Sequence, residues 1–456
     1  MALTTAVLLL AGCAGSDDGV GAPAVVFGDV PVSFSTGVSV TRATIDNTES
    51  LKALSQGFGV LGYLTDTETW DKATGGKALS AFPPPDYMYN QQVRWAKQYD
   101  TGTKDKDGNP IYGYDWVYSP LKYWPNSDSN ATARYISFFA YAPFVEQAAM
   151  GTTGITAMTN GDDHRPYLVY QLDTEKGSVQ SDLLWAKCED ATRNGEGLIY
   201  FEGSTEKWQK VPLEFRHALA AVEVYVQRVY DEQTSSGHKP AGDHTRLFVS
   251  ELQLSATNTA TAGLYASGRL DLQTGTWSSP DGAASWPTGD ATQSVTLTYG
   301  EALLNDTVGG TTQTTLAVIA NQELNKWDKG FGVDEEERLL FKDKAITLLP
   351  SGGEVTITPT LTYSMVTQDN EQQLSTLTDS KGNKYTRLVN KVTGNPLTLK
   401  LEDGKKYKLV IRIGVEHVAF GGLSVVDWDF PMRFNPGVGA DFEDDKINHT
   451  LNEEDK

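Results

Sequence analysis

Apolar and polar positions alternate along much of the chain with the two-residue period of a β-strand. The longest such run covers residues 30–40, where Val, Phe and Thr at even positions alternate with Pro, Ser and Gly at odd positions. Side chains two residues apart share one face of a strand, so this run predicts a strand with one apolar and one polar face. Shorter runs of the same kind lie at residues 222–226, 295–299, 355–357 and 407–415.

These runs predict an all-β protein. Strands with one wet face are typical of antiparallel sandwiches, and turn-forming clusters of Pro, Gly and Asp separate them. A chain of 456 residues exceeds what one hydrophobic core usually holds. We predict two antiparallel β-sandwich domains, residues 43–210 and 211–430, with the boundary near residues 207–212.

The charge balance bears on the choice of partner. Asp and Glu number 59 against 38 Lys and Arg, which gives a net charge of −21. An acidic surface repels the phosphate backbone, and this argues against nucleic acid as a partner. The last segment, residues 431–456, is rich in carboxylates, which predicts a solvated acidic tail.

The first residues resemble the export signal of a bacterial lipoprotein. An apolar run from Ala6 to Leu10 leads into Leu-Ala-Gly-Cys13, followed by small and acidic residues. The run is shorter than the about 20 apolar residues that span a bilayer, but it has the length of a signal-peptide core. The resemblance to a lipobox implies that residues 1–12 are a signal peptide and that Cys13 carries palmitate and other acyl chains. Acyl chains would then anchor the protein to a membrane.

No motif of enzyme chemistry stands out. The sequence lacks His-Glu-x-x-His, Gly-x-Ser-x-Gly, a Walker A loop and a Cys-x-x-Cys pair. Its six histidines are scattered, and the closest pair is His238 and His244. We interpret His217 as a hydrogen-bonded structural residue. The sequence therefore predicts a protein that is not an enzyme, with no catalytic residue, no metal and no cofactor.

Short motifs spread over residues 30–430 resemble the fimbrillin family of Bacteroidota, which comprises type V pilus subunits and related lipoproteins. They include Val-Ser-Phe-Ser at 32–35, Thr-Arg-Ala-Thr at 41–44 and Phe-Arg-His-Ala-Leu at 215–219. The other matching stretches are residues 58–60, 87–91, 116–125, 136–143, 182–186, 270–277, 404–407 and 425–428. The family fold implied is two tandem transthyretin-like β-sandwich domains. We expect the aromatic residues of these motifs to be core residues, namely Trp124, Phe138, Phe139 and Trp185.

The resemblance also implies a mechanism of assembly. In polymerising members, a trypsin-like protease cuts after an arginine and releases the first strand, and a donor strand of another subunit replaces it by β-augmentation. Mapped onto this chain, the cut falls between Arg42 and Ala43, and residues 13–42 are a removable leader. The exchangeable first strand contains Val30, Val32, Phe34, Val38 and Val40. The donor segment would lie near the C-terminus and contain Phe430, Met432, Phe434, Val438 and Phe442.

The partners implied are other fimbrial subunits in a homo- or heteropolymer, the outer membrane through the lipid anchor, and a host or bacterial surface receptor. The implied role is a structural and adhesive fimbrial (pilus) subunit at the cell outer membrane. Three alternatives remain open at this stage. Arg42 follows a permanent edge strand; the C-terminal segment is a tail without donor function; or the protein is a glycan-binding surface lipoprotein whose Trp70, Trp95 or Trp277 stacks on sugars.

Overall fold

The computed structural model confirms an all-β protein. Two short helices, α1 (Thr48–Ala53) and α2 (Trp70–Thr74), and one 3-10 turn (Gln147–Ala149) are the helical elements among the described residues. Neither helix is long and apolar enough to cross a membrane. The structure describes residues 27–38, 48–75, 77, 82–104, 106, 108–125, 134–160, 163–173, 182–193, 198–201, 207–228, 245–287, 292–298, 304–308, 311–315, 338–340, 346–368, 377–378, 384–413 and 418–427.

An eight-stranded sheet dominates the N-terminal half. Its strands, in chain order, are β2 (Phe34–Val38), β3 (Phe58–Asp66), β4 (Met88–Lys104), β5 (Pro110–Val117), β7 (Tyr135–Ala142), β10 (Leu184–Arg193), β11 (Ile199–Phe201) and β12 (Val211–His217). In space they follow the order β2-β12-β10-β7-β3-β4-β5, with β11 beside β10. Two further strands, β1 (Phe27–Pro31) and β6 (Tyr123–Pro125), form a separate antiparallel pair.

The central strands of this sheet are buried on both faces. Phe138 of β7 belongs to a core that also holds Phe34, whereas the next residue, Phe139, belongs to a second core with Trp70 and Trp185. Burial on both faces explains why β7 reads as a nearly continuous apolar run instead of an alternating one. The expected core residues are confirmed: Trp124, Phe138, Phe139 and Trp185 are all buried.

A four-stranded sheet is built from both halves of the chain. Its strands are β8 (Gly154–Met158), β9 (Tyr167–Gln171), β15 (Ser267–Asp271) and β16 (Trp277–Ser278). They follow the order β16-β15-β9-β8, and β9 pairs with β15 in an antiparallel register from Tyr167↔Asp271 to Gln171↔Ser267. Continuous backbone pairing therefore connects the two halves, and the second core lies against it.

The C-terminal half contains a five-stranded and a six-stranded sheet. The first comprises β13 (Ala220–Arg228), β20 (Arg338–Leu340), β21 (Ile346–Leu348), β26 (Lys405–Ile413) and β27 (Val418–Asp427). The second comprises β14 (Thr245–Thr257), β17 (Thr292–Thr298), β22 (Glu354–Gln368), β23 (Leu377–Thr378), β24 (Lys384–Thr393) and β25 (Leu397–Lys400). A separate hairpin joins β18 (Leu304–Val308) to β19 (Thr311–Thr315). The described residues of the four shorter alternating runs, 222–226, 295–298, 355–357 and 407–413, lie in β13, β17, β22 and β26, which confirms them as strands.

The structure differs from the sequence-based expectation at three places. The alternating run from Val30 is not one strand, because β1 and β2 are separate strands with different partners, and Val32 and Ser33 connect them. The strand pairs are mostly antiparallel, but β2–β12 and β13–β26 are parallel. Finally, residues 211–217, which the predicted boundary places in the second domain, pair with β2 and β10 of the first sheet.

Charged side chains reinforce the connection between the halves. Asp163, just before β9, accepts hydrogen bonds from Arg165 and, at 2.6 Å, from Nη2 of Arg269 on β15. The Arg269 guanidinium also lies 3.5 Å from the centre of the Tyr167 ring. Burial by itself raises the pKa of Asp163, but the hydrogen bonds from the two arginines outweigh it and hold the pKa at about 2.

We expect D163N to lower the free energy of unfolding by roughly 2–3 kcal/mol at neutral pH, because hydrogen bonds to a charged group are lost. A depressed carboxylate pKa stabilises the fold above the unfolded value of about 3.9, and this contribution disappears as pH falls through about 2. The difference between D163N and wild type should therefore shrink between these two pH values in urea titrations. E49Q is the control, since the Glu49 side chain is 80% exposed. Equal midpoints for D163N and wild type at pH 7 would contradict this role.

Candidate functional site

The segment before Arg42 forms an edge of the N-terminal half. We call residues 27–38, which comprise β1 and β2, the leader segment. β2 pairs in parallel with β12, from Val211↔Phe34 to Phe215↔Val38, and within the described residues it has no strand on its other side. Helix α1, the first element after Arg42, lies beside β2. The leader segment is thus held by one neighbouring strand in each of its two sheets.

Phe34 is the main apolar anchor of the leader segment. Its side chain is fully buried and contacts three aromatic rings. The ring centres of Phe58, Tyr118 and Phe138 lie 6.2, 5.9 and 5.5 Å away, and two of the three pairs are edge-to-face. We call these three rings the aromatic cage. Edge-to-face contacts contribute beyond simple burial, so the cage favours an aromatic side chain at this position.

Backbone hydrogen bonds fix the point where the leader segment passes from one sheet to the other. The N–H of Val32 donates to the carbonyl of Lys122 at 2.8 Å, and the carbonyl of Val32 accepts from Oη of Tyr118 at 2.9 Å. The N–H of Val211 donates to the carbonyl of Ser33 at 2.8 Å. Burial raises the pKa of Tyr118 to about 12, so its hydroxyl remains a donor at physiological pH.

One side-chain hydrogen bond follows further along β2. Nε1 of Trp116, at the end of β5, donates to Oγ1 of Thr36 at 3.0 Å. Together with the cage, it gives the leader segment contacts from β3, β5, β7 and the segment after β5 in addition to its pairing with β12. The sequence alone did not identify these partners. It does show the two-residue spacing that places Trp116 and Tyr118 on one face, and Val211, Leu213 and Phe215 on another strand's face.

The predicted first-strand residues have different degrees of burial. Val32 and Phe34 are buried, Val30 is half-buried, and Pro31 between them is exposed, so the predicted apolar face is the inner one. Full burial of side chains of this size contributes about 1.5–3 kcal/mol each. Val38 pairs with Phe215 through its backbone. The other predicted positions lie outside the described residues, namely Cys13, Val40, Arg42, Ala43, Phe430, Met432, Phe434, Val438 and Phe442.

Other polar residues of the N-terminal half have structural surroundings. The buried His217 is hydrogen-bonded through Nδ1 to Oδ1 of Asp182 at 3.2 Å, which confirms its interpretation as a hydrogen-bonded residue. Cys188 is free and buried, and burial raises the pKa of its thiol well above its usual range. No group of His, Cys, Asp and Glu suited to a metal ion occurs in the portion of the chain that the structure describes.

The tryptophans proposed for sugar stacking are mostly engaged in packing. Trp70 is buried against Tyr63 and Phe139, so the expectation that it is exposed is wrong. Trp277 is half-buried, and its Nε1 donates to the carbonyl of Ala218 at 2.7 Å. Trp95 is half-buried too, with the Lys52 ammonium 4.6 Å from its ring centre. The burial of Trp70 therefore argues against the glycan-binding alternative, and the contacts of Trp95 and Trp277 give it no support.

Comparison with known proteins identifies the class of protein to which this fold and edge strand belong. A match described as fimbrillin-like covers residues 41–428. The chain belongs to the fimbrillin-like family. No curated protein matches it.

Solved structures of proteins from Bacteroides and Parabacteroides match this chain. A fimbrial protein from Bacteroides vulgatus has a TM-score of 0.53 and 19% identity, and the similarity covers 87% of this chain and 99% of that one. A putative cell adhesion protein from Bacteroides ovatus has a TM-score of 0.39 and 10% identity, over 88% and 98% of the two chains. A fimbrial assembly protein from Parabacteroides distasonis has a TM-score of 0.30 and 8% identity, over 87% and 98%.

Proposed function

We propose that this protein is a structural and adhesive subunit of a surface fimbria, and that it assembles by proteolytic removal of the leader segment and donor-strand exchange. The observation that carries the proposal is the position of β2, which is an edge strand among the described residues and whose Phe34 is nevertheless fully buried in the core. A strand at the edge of its sheet can leave without disrupting the pairing between the remaining strands. Because the Phe34 side chain is deeply buried, loss of the strand opens a groove of defined shape.

The groove has the physical properties that a donor strand requires. Loss of the leader segment exposes the aromatic cage to water and leaves the backbone of β12 without its partner from Val211 to Phe215. Such an edge is an aggregation hazard until another strand pairs with it. A donor strand restores the hydrogen bonds, and its alternate side chains refill the pockets. The intact leader protects the subunit until assembly.

The position of Arg42 suits the cut. Between Phe27 and the start of α1 at Thr48, Arg42 is the only Lys or Arg in the sequence. A protease with trypsin-like specificity therefore separates the whole leader segment from α1 and the remaining sheet by a cut between Arg42 and Ala43. The cut bond lies after β2, so none of the described strands that form the groove is shortened.

The remaining features of the proposal concern location and partners. Acylation of Cys13 would anchor the precursor at the outer membrane, and removal of residues 13–42 would free the subunit from this anchor. The partners are then other fimbrial subunits, with adhesion to a host or bacterial receptor as the task of the assembled fimbria. We also propose that the two halves correspond to two tandem transthyretin-like sandwiches.

We expect trypsin treatment of the purified full chain to produce a ladder of polymers that resists detergent at room temperature and collapses on boiling. The new N-terminus should be Ala43, as read by N-terminal sequencing. The R42A variant is the matched control, and it should remain an uncut monomer under conditions where wild type forms the ladder. If wild type is cut at Ala43 and stays monomeric at high concentration, strand exchange is not its mode of assembly.

A further inference from the structure

We propose that residues 429–438, here called the tail segment, take the place of residues 29–38 in a second copy of this chain, in the same direction and register. This inference rests on the proposed function, because it requires that the leader segment has left. It adds the identity of the partner, the residue that fills each pocket and the direction of the inserted strand.

The tail segment repeats the sequence of the leader segment. Residues 29–38 read Asp-Val-Pro-Val-Ser-Phe-Ser-Thr-Gly-Val, and residues 429–438 read Asp-Phe-Pro-Met-Arg-Phe-Asn-Pro-Gly-Val. Without a gap, five of these ten positions are identical: Asp29 and Asp429, Pro31 and Pro431, Phe34 and Phe434, Gly37 and Gly437, Val38 and Val438. A groove shaped around the first sequence is therefore shaped for the second.

The inner face of the groove accepts the side chains of the tail segment. In this register Phe434 enters the aromatic cage that holds Phe34, which suits an aromatic ring at this position. Met432 takes the buried site of Val32, where a flexible unbranched side chain adapts to the available space. Phe430 takes the half-buried site of Val30, and Arg433 takes the half-buried site of Ser33 on the opposite face.

The backbone pattern explains why two prolines do not prevent insertion. Val211 donates to the carbonyl of Ser33, so positions 33, 35 and 37 direct their C=O groups, and positions 35 and 37 their N–H groups, at β12. The N–H of residue 36 therefore points away from β12, and Pro436 at this position removes no ladder bond. Pro431 takes the exposed position of Pro31. A shift by one residue would place Pro436 at a position bonded to β12 and would turn Arg433 inward.

Most polar contacts of the leader segment are reproduced in this register. Met432 presents the same backbone groups to Lys122 and Tyr118 that Val32 presents now, and Arg433 offers its carbonyl to Val211. Pro436 has no side-chain acceptor, so the hydrogen bond from Trp116 to Thr36 is the described contact that is lost. The exchange therefore swaps one side-chain hydrogen bond for the larger apolar surface of Met432 and Phe430.

The tail segment also starts where a short connection to a neighbour requires it. β27 ends at Asp427, so Trp428 alone separates it from the tail segment. Because the tail segment copies the leader of this chain, the partner that fits it is a second copy of this chain. A closely joined homopolymer follows from these two observations.

Disulfide trapping tests the register. The groove copy carries P212C and is cut by trypsin, and the donor copy carries N435C together with R42A, so its own groove stays closed. In the structure Pro212 pairs with Ser35, the position that Asn435 is expected to occupy. Cys188 is buried and does not compete, and Cys13 is replaced with alanine in both copies. We expect a crosslinked dimer from this pair. The control groove copy carries E214C, which pairs with position 37, and we expect at least tenfold less dimer.

The outcomes separate the register from the proposed function. A ladder of the cut wild type without the 212–435 crosslink, or with the 214–435 crosslink instead, would overturn the register while strand exchange stands. Absence of both the ladder and the crosslink in an R433Q background, in which trypsin cannot cut within the tail segment, would overturn the proposed function as well. A second comparison uses F434A and F442A. Position 442 corresponds to Arg42, beyond the groove, so F434A should lose at least nine-tenths of the ladder and F442A should keep it.

Discussion

Replacement of Phe34 with alanine is expected to lower the free energy of unfolding of the uncut protein by about 3–5 kcal/mol. The side chain is fully buried in the aromatic cage, so the substitution removes the transfer free energy of a phenyl ring and leaves a cavity between Phe58, Tyr118 and Phe138. The cage comes from three separate parts of the chain and cannot collapse without shifting β3 or β7. Urea titration followed by tryptophan fluorescence measures the loss.

The same substitution should weaken retention of the leader after cleavage. In F34A, the leader peptide should dissociate from trypsin-cut protein at least tenfold faster than in wild type, as followed by size-exclusion chromatography. V30A is the matched control, because Val30 is half-buried in the same segment and its truncation should cost about 1 kcal/mol. Equal effects of F34A and V30A would show that the cage does not hold the leader.

Replacement of Gly275 with alanine is the second substitution with a large expected effect. Gly275 lies in the turn between β15 and β16 with φ of +76°, and an added Cβ would lie 2.1 Å from Cζ2 of Trp185. The left-handed conformation costs a residue with a side chain about 1–2 kcal/mol, and overpacking against a buried indole adds about 1–3 kcal/mol. We expect G275A to lose roughly 2–5 kcal/mol, measured by urea titration.

G352A separates the two causes of this loss. Gly352 has φ of +80°, but no atom lies within 4 Å of its added Cβ. It should show only the conformational cost, about 1–2 kcal/mol. Trp185 belongs to β10 of the first sheet and Gly275 to the four-stranded sheet, so the extra loss in G275A measures the packing between the halves. Equal losses in both variants would contradict a tight contact between Trp185 and this turn.

Much of the fold could be predicted because single strands leave a local signature. Alternation identified β13, β17, β22 and β26, and the aromatic motifs identified buried residues such as Phe138 and Trp185. Alternation does not show which strands pair with each other. It also does not show where one strand ends and the next begins when the inward-facing positions continue unchanged across the break. Val30, Val32 and Phe34 keep one face through the passage from β1 to β2, so the sequence could not show that there are two strands.

The sequence predicted the leader residues of the candidate site but not the strand with which they pair. The leader residues Val32 and Phe34 were identified correctly as the inner face, whereas their partner β12 follows 170 or more residues later and pairs in parallel. Pairing over such a separation is decided by tertiary packing, which no local pattern encodes. Trp70 illustrates the same limit, because tryptophan composition alone does not distinguish a sugar platform from a core residue. The repeat between the leader and tail segments indicates a shared binding site only together with the groove residues, which come from distant parts of the chain.

Native mass spectrometry of the trypsin-treated full chain tests the central claim most directly, because it weighs each assembled species and any leader peptide that remains in it. The account predicts that monomers cut at Ala43 first retain the leader, and that each polymer contact forms with the loss of one leader peptide. Polymers in which every subunit still carries its leader would contradict the replacement of β2 by a strand from a neighbouring subunit.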